Sequence, residues 1–203
     1  MKKVLILFAH PRFEKSRANK ALLAEVRGLD FVTVHDLYEL YPDFNIDIGR
    51  EKMLLAAHQL IIWQFPLYMY GPPALLKHWI DLVLEHGWAH GSGGCSLEKK
   101  QLFIAVTTGG SREAYGADGF NRFALSELLR PLEQTACLCR MMYLPPFAVQ
   151  GMASLTQEHL GRYALLYRLA IQGLCAGEAD LAGIVRCEFL DVWATALLHQ
   201  GAP

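Results

Sequence analysis

The stretch KKVLILFAHPRFEKSRANKALLAEVRGL, residues 2–29, decides the fold. Its apolar run over residues 4–9 is short and uninterrupted, which is typical of a strand buried on both faces of a parallel sheet. After a polar loop, apolar residues recur at helical spacing, and Ser16 is placed to cap that helix. The pattern predicts a strand followed by a crossover helix that is buried through Ala18, Ala21, Leu22, Val26 and Leu29.

The same alternation of short apolar runs and helical patterns continues along the chain. Further strands are predicted at residues 31–35, 60–65, 102–107 and 142–147. Five strands joined by right-handed crossover helices predict an α/β fold, with a doubly wound, flavodoxin-like parallel sheet of order 2-1-3-4-5.

Four more helices are predicted from spacing and capping signals. One covers residues 50–57, and the next opens at Pro72-Pro73, where a proline in the first turn loses no hydrogen bond. Another covers residues 124–137 with a kink at Pro131, and the last begins at Ser154, where Gln157 completes a capping box. The helix after Pro73 should bury a stripe made of Leu75, Leu76, Trp79, Ile80 and Val83.

Two segments do not fit this scheme. Residues 87–94 are rich in glycine and histidine, and the tail at 179–203 is too apolar to be a solvated extension. We expect the tail to pack on the rest of the chain, although the sequence does not indicate its shape. Without repeats or low-complexity linkers, the prediction is a single domain over residues 1–203, with a core at about 3–175.

Composition and charge exclude several classes of protein. The chain of 203 residues is 53% hydrophobic, and its formal net charge of -1 favours neither nucleic acid nor an anionic membrane as a partner. Its five cysteines form no C-x-x-C pair, which favours reduced thiols and a cytoplasmic location. The first apolar run is too short for a signal peptide, and no run approaches the ~18 residues of a membrane span.

Ligands of doubly wound sheets bind beyond the carboxyl ends of the strands, which selects the loops after strands one, three and four. The first loop begins at His10 and leads into a helix whose N-terminus can bind a phosphate, with Ser16 and Asn19 adding side-chain bonds. The chain contains no G-x-G-x-x-G and no G-x-x-x-x-G-K-[ST] motif. From this loop alone, Ser16 as a simple cap and His10 as a structural histidine stay open as alternatives.

The other two loops suit a flat ring. FPLYMYGPP, residues 65–73, combines stiffening prolines with aromatic side chains, although a core corner or a partner contact would use the same residues. TTGGS, residues 107–111, offers hydroxyl and backbone N–H donors of the kind that polarise a flavin ring, although a plain turn also uses two glycines.

Together the loops resemble the flavodoxin-fold NAD(P)H:quinone oxidoreductases. The resemblance rests on FPLYMYGPPALLKHW (65–79), TTGG (107–110), AHP (9–11) and the S-x-x-N of Ser16 and Asn19. Within that family the chain is most similar to the ancillary flavoproteins of Kef glutathione-gated potassium efflux systems, more to the KefG than to the KefF type. This similarity rests on LYPDFNIDI (40–48), HGWAHGSGG (86–94) and LLRPLEQTACLCRM (128–141), and it leaves the tail outside.

The resemblance implies an FMN site. It places the flavin phosphate and ribityl chain against His10, Ser16, Arg17, Ala18 and Asn19. It places the ring against Leu67, Tyr68, Met69, Tyr70, Thr107, Thr108, Gly109 and Gly110. It also counts Phe65, Pro66 and Tyr115 among the flavin-binding residues. FMN is favoured over FAD because Met69 replaces a tryptophan of the larger, FAD-binding members, and because this chain is shorter.

The resemblance also implies an activity and partners. Hydride would pass from NADPH or NADH to a quinone or a related electrophile, with Tyr115, Asn121 and Tyr70 as catalytic residues. Asn121 stands where the quinone reductases have a histidine, which puts the efficiency of hydride transfer in doubt. A homodimer and a membrane potassium efflux antiporter are the implied partners, the latter at the cytoplasmic face. The alternative is a regulatory subunit with a vestigial or sensing flavin site.

Competing sites have weak support. His86, His90 and Cys95 suggest a zinc site, but Gly87 and Gly91 break any helix that would align the histidines, and no fourth ligand is apparent. The prediction is therefore that no metal is bound. A serine hydrolase would show G-x-S-x-G after a strand, and the chain has no such motif.

Overall fold

The computed structural model describes residues 1–177 and 181–199, so the predicted tail is covered except for 179, 180 and 200–203. One parallel sheet runs through the chain in the order β2-β1-β3-β4-β5, with β6 also paired to β4, which confirms the predicted order. The strands are β1 (Val4–Phe8), β2 (Val32–Asp36), β3 (Leu60–Pro66), β4 (Gln101–Thr107), β5 (Met142–Tyr143) and β6 (Phe147–Val149).

The prediction of one continuous strand over residues 142–147 is wrong. Four residue steps along β4, from Gln101 to Ala105, correspond to five steps along this edge, from Met142 to Phe147. The extra residue falls at the segment that contains Pro145 and Pro146, which have no N–H to donate to a sheet. The edge is therefore split into β5 and β6.

Helices cover both faces of the sheet. They are α1 (Ala18–Val26), α2 (Leu37–Leu40), α3 (Ile48–Ala57), α4 (Ala74–Val83), α5 (Leu125–Leu138), α6 (Gln157–Ala176), α7 (Leu181–Ile184) and α8 (Leu190–His199). The short helix α2 was not predicted, and α1 ends before Leu29. Helix α5 continues through Pro131, and the predicted stripe of α4 is fully buried as expected.

Alternation along the strands builds two cores. Leu5, Leu7 and Trp63 face the side covered by α3, α4 and α5, whereas Ile6 and Ile62 face the side covered by α1, α6 and α8. Both sets are fully buried or nearly so, which explains why β1 is apolar at every position and β3 at every position except Gln64.

The start of α6 differs from the prediction. The N-cap is Thr156, whose hydroxyl oxygen accepts from the N–H of His159 at 3.2 Å, and the helix begins at Gln157. Ser154 instead donates its hydroxyl to the carbonyl of Gly151 at 3.0 Å, so the predicted capping box of Ser154 and Gln157 is wrong. Both residue types cap helices, and the chain reaches its helical conformation two residues later than expected.

The tail packs as expected. The N–H of Leu190 donates to the carbonyl of Pro146 at 2.9 Å, beside the split edge of the sheet. Phe189, Leu190 and Ala194 are buried, and Trp193 lies so close to Gly173 of α6 that a Cβ there would be 2.8 Å from its ring. Across the described ranges, no helix is long and apolar enough to cross a membrane.

A buried carboxylate ties α3 to α4 and β2. Glu51 is fully buried and accepts from Nε2 of His35 at 2.8 Å, from the Tyr41 hydroxyl at 2.5 Å and from Nε1 of Trp79 at 2.8 Å. Burial opposes the ionisation of Glu51, but the three donors outweigh it, and its pKa lies below the ordinary value.

Candidate functional site

The loops after β1, β3 and β4 meet at one edge of the sheet. Their backbones are joined there, since the N–H of Ala9 donates to Gln64 at 2.9 Å and that of Leu67 donates to Thr107 at 2.9 Å. They enclose a first cleft of about 380 Å³. Its walls are His10, Lys15, Ser16, Arg17, Ala18, Pro66, Leu67, Tyr68, Thr107, Thr108, Gly109, Met152 and Ala153.

One end of the first cleft is built to receive an anion. It lies at the N-terminus of α1, where the N–H groups of Arg17 and Ala18 make no hydrogen bond to any residue of the described ranges. The side chains of Lys15 and Arg17 add positive charge. Free N–H groups and the positive end of a helix dipole are the usual partners of a phosphate.

A buried chain of side-chain hydrogen bonds supports this end of the cleft, and we call it the buried relay. Tyr167 donates to Oε1 of Gln64 at 3.0 Å, and Nε2 of Gln64 donates to Oδ1 of Asn19 at 3.0 Å. Nδ2 of Asn19 then donates to the hydroxyl oxygens of Ser16 and Thr107, each at 3.2 Å. The N–H of Asn19 also donates to the Ser16 hydroxyl at 3.2 Å, so Ser16 does act as a cap.

The buried relay determines whether the hydroxyls of Ser16 and Thr107 can donate or accept hydrogen bonds in the first cleft. Both lone pairs of the Ser16 oxygen are used by Asn19, and the Thr107 oxygen also accepts from Asn19. Their hydrogens have no acceptor among the described residues and are left for a ligand in the cleft. Ser16 can therefore only donate to a ligand, whereas Thr107 can donate and keeps one lone pair; a donor at Ser16 suits a phosphate rather than a cation.

His10 is a third donor in the first cleft. Burial lowers its pKa below the ordinary value, so the ring is neutral near pH 7. Its Nδ1 accepts from the N–H of Arg12 at 3.0 Å, which leaves the proton on Nε2. A neutral imidazole with Nε2–H is a hydrogen-bond donor for an oxygen ligand.

A strained turn, residues 68–71, contributes Tyr68 to the wall of the first cleft. Tyr68 and Gly71 exchange two backbone hydrogen bonds of 3.1 Å, and the two residues between them, Met69 and Tyr70, have φ of 46° and 68°. Left-handed backbone at a residue other than glycine costs on the order of 1 kcal/mol or more. The turn holds Met69 almost entirely in solvent, at 91% exposure.

A second cleft of about 330 Å³ lies on the other side of Leu67. The hydroxyl of Tyr70 donates to Oδ1 of Asn121 at 3.3 Å. A Cβ on Gly110 would lie 3.2 Å from the Tyr115 ring and 3.4 Å from Nδ2 of Asn121, so both side chains close over that glycine. Met69, Ala114 and Phe120 complete the lining.

Known proteins support the architecture. Residues 2–168 match the family model described as a flavodoxin-like fold. The chain belongs to this family. A relative from Cronobacter sakazakii, the glutathione-regulated potassium-efflux system ancillary protein KefG, is 52% identical over 147 residues, which cover 72% of this chain and 80% of that protein.

Solved structures of the flavodoxin-like family superpose closely on this chain. General stress protein 14 of Treponema denticola, in complex with FMN, has a TM-score of 0.80 and 38% identity over 85% of this chain and 99% of that chain. An NADPH-quinone reductase from P. pentosaceus has a TM-score of 0.75 and 36% identity over 82% and 95%. A thermophilic tryptophan halogenase from Streptomycin violaceusniger has a TM-score of 0.79 and 41% identity over 81% of this chain and 95% of that chain. The shared fold therefore does not decide the activity.

Most of the predicted site residues of this flavodoxin-like chain lie together. Ten of them line the first cleft, and Leu67, Met69, Tyr70, Gly110, Tyr115 and Asn121 line the second. Phe65 and Asn19 line neither cleft. Phe65 is fully buried in the core, whereas Asn19 donates hydrogen bonds to Ser16 and Thr107, which line the first cleft.

Several residues at the site were not predicted. Gln64 and Tyr167 are fully buried and lie 103 positions apart, and no local pattern indicates that they are hydrogen-bonded. Met152 and Ala153 come from the loop after β6, which the misplaced α6 start obscured. For Gln64 a signal existed, because a polar residue inside a strand that is otherwise apolar must find a buried partner.

The Gly/His-rich segment lies elsewhere. The rings of His86 and His90 are 5.7 Å apart, and Cys95 is exposed. Over residues 1–177 and 181–199, no group of three or more His, Cys, Asp or Glu side chains is arranged to hold a metal.

Proposed function

We propose that this chain binds one FMN in the first cleft and passes hydride from NADPH or NADH to a quinone or a related electrophile. The observation that carries the proposal is the convergence of unpaired donors at the N-terminus of α1 with an apolar wall beside them. The FMN complex of the Treponema denticola relative and the quinone reductase from P. pentosaceus support it.

The phosphate would lie at the α1 end of the cleft. The N–H groups of Arg17 and Ala18 would hold it, together with the hydroxyl of Ser16 and the positive charge of Lys15. The ribityl chain would lie between His10 and Thr107. Donors of this kind suit phosphate and hydroxyl oxygens.

The ring would lie along Leu67 and the backbone of residues 107–110. When bound, the flavin supplies reversible two-electron chemistry. The N–H groups of Gly109 and Gly110, which make no hydrogen bond within the described ranges, would face its oxygen and nitrogen acceptors. Tyr115 and Asn121 would orient the substrate and stabilise negative charge on the ring edge, and Tyr70 holds Asn121 in place.

A homodimer is part of the proposal. Two large apolar side chains that line the second cleft lie mostly in solvent, Met69 at 91% and Phe120 at 90% exposure. Phe123, three residues further on, is also exposed, at 56%. Apolar surface of this kind marks an interface more often than a free surface. A chain that sediments as a monomer at micromolar concentration would contradict this part.

The visible spectrum of the protein tests the cofactor, and anaerobic titration with NADPH tests the chemistry. We expect bands near those of oxidised flavin after incubation with FMN, bleaching with NADPH, and recovery on adding a quinone. Ser16→Ala should retain less FMN. Protein that takes up no FMN and never bleaches would overturn the proposal.

A second function is favoured by the similarity to the KefG protein of Cronobacter sakazakii. We propose that the chain docks on the cytoplasmic face of a potassium efflux antiporter and permits its full activity. The test uses cells that lack the protein. Their potassium efflux would be measured after they are supplied with the wild type or with a variant that carries both Ser16→Ala and Tyr115→Phe. Rescue by both would show a regulatory role that needs no flavin turnover, rescue by the wild type alone would join the two roles, and rescue by neither would reject docking.

A further inference from the structure

The buried relay runs from the interior of the protein to the first cleft, and its direction is chemically significant. Tyr167, Gln64 and Asn19 are all fully buried. In the arrangement seen, each donates towards the cleft, and the hydroxyls of Ser16 and Thr107 end the chain as acceptors from Asn19. Their own hydrogens then point to a ligand.

The opposite direction is sterically equivalent. If both amide groups turned over, Nδ2 of Asn19 would donate to Gln64, and Oδ1 of Asn19 would accept from the two hydroxyls. Ser16 and Thr107 would then present lone pairs to the cleft. Lone pairs repel a phosphate, so the two directions of the relay differ in the ligand that they favour.

Tyr167 distinguishes the two directions. Within residues 1–177 and 181–199, Oε1 of Gln64 is the only hydrogen-bond partner of its hydroxyl. If Gln64 turned over, the buried O–H of Tyr167 would face an N–H and lose its acceptor. An unsatisfied buried donor is costly, so the tyrosine hydroxyl holds the relay in the direction that points to the cleft.

We propose that Tyr167 is a positioning residue for phosphate recognition, acting from the far end of the relay without touching the ligand. It makes Ser16 an obligatory donor towards the phosphate and so selects a flavin that carries one. This inference rests on the proposed function, because it takes FMN as the ligand of the first cleft.

The test compares Tyr167→Phe with the wild type for two flavins. Dissociation constants for FMN and riboflavin would be measured by quenching of flavin fluorescence, since riboflavin has the same ring and ribityl chain but no phosphate. Loss of the directing hydroxyl should weaken FMN binding about tenfold and change riboflavin binding little. Tyr163→Phe is the matched control, because it lies one turn away on α6 and its hydroxyl makes no hydrogen bond in the described part of the chain.

The possible outcomes test the inference about Tyr167 separately from the proposed function. An FMN-to-riboflavin affinity ratio that is unchanged by Tyr167→Phe refutes the inference, whether neither affinity changes or both fall equally. An equal fall would mean that the tyrosine only supports the fold. A wild type that binds neither flavin instead refutes the proposed function.

A second variant guards against a general loss of stability. Gln64→Met cuts the relay at its middle while keeping the length of the side chain. Because both changes interrupt one chain, the losses in the FMN-to-riboflavin ratio should not add in the double variant. Additive losses would mean that Tyr167 and Gln64 act on the cleft separately, and the relay would be rejected.

Discussion

Gly109→Ala should separate folding from flavin binding, because it is expected to move them in opposite directions. Gly109 lines the first cleft, and a Cβ added there meets no atom within 4 Å. Its φ lies outside the left-handed region, so alanine can adopt the same backbone. The loss of unfolded-state entropy should then stabilise the folded chain by about 0.4–1 kcal/mol.

The same methyl group would project into space that the proposed function assigns to FMN. Overpacking of a well-fitted site costs about 1–3 kcal/mol, which corresponds to roughly 5- to 150-fold weaker binding. Urea denaturation of the flavin-free protein would measure the first effect, and fluorescence titration with FMN would measure the second.

Gly28→Ala is the matched control. An added Cβ also meets nothing within 4 Å there, φ is again outside the left-handed region, and the residue lies outside both clefts. It should stabilise the fold similarly and leave FMN binding unchanged. If Gly109→Ala binds FMN as tightly as the wild type, the flavin does not occupy the space in front of this glycine, and the placement of the ring is wrong.

Three other predictions follow from particular contacts. Thr156→Ala should lose about 1 kcal/mol in urea denaturation, because it removes the cap of α6, whereas Ser154→Ala should lose clearly less; equal losses would contradict the capping assignment. Tyr115→Phe should slow flavin reduction by NADPH about tenfold in stopped-flow bleaching, and Asn121→His should raise the rate with a pH dependence near the imidazole pKa. If neither rate changes, these side chains are structural. Since the pKa of Glu51 is lower in the folded chain, its stabilisation should be complete above the ordinary pKa of a glutamate and lost as the pH falls through the folded value. Denaturation midpoints from pH 7 to 3 should show this loss in the wild type and less of it in Glu51→Gln.

Much of the fold could be predicted because it depends on local patterns. Strands buried on both faces are apolar at nearly every position, and a helix covering them has one apolar stripe, so most strands and the buried face of α4 followed from spacing. The strand order then followed from the doubly wound fold class. The position of the first cleft followed as well, because doubly wound sheets have a crevice outside the carboxyl ends of the strands where strand order reverses. The cap at Ser16 is another local feature, since it needs only the N–H three residues on.

The remaining features depend on contacts between distant residues. Thr156 rather than Ser154 begins α6 because of where the chain arrives after β6, and the edge strand divides because its register against β4 shifts by one residue. For the tail, the sequence predicted only that it packs on the rest of the chain. An apolar composition indicates burial, but it does not identify the surface that the segment covers. The relay from Tyr167 to Ser16 joins side chains of four elements whose hydrogen bonds exist only at one mutual arrangement of α6, β3, α1 and β4. Sequence alone determined which apolar faces are buried and which loops meet. Only the tertiary structure decided which polar atoms pair, because a hydrogen bond tolerates a few tenths of an ångström and periodicity specifies nothing so fine.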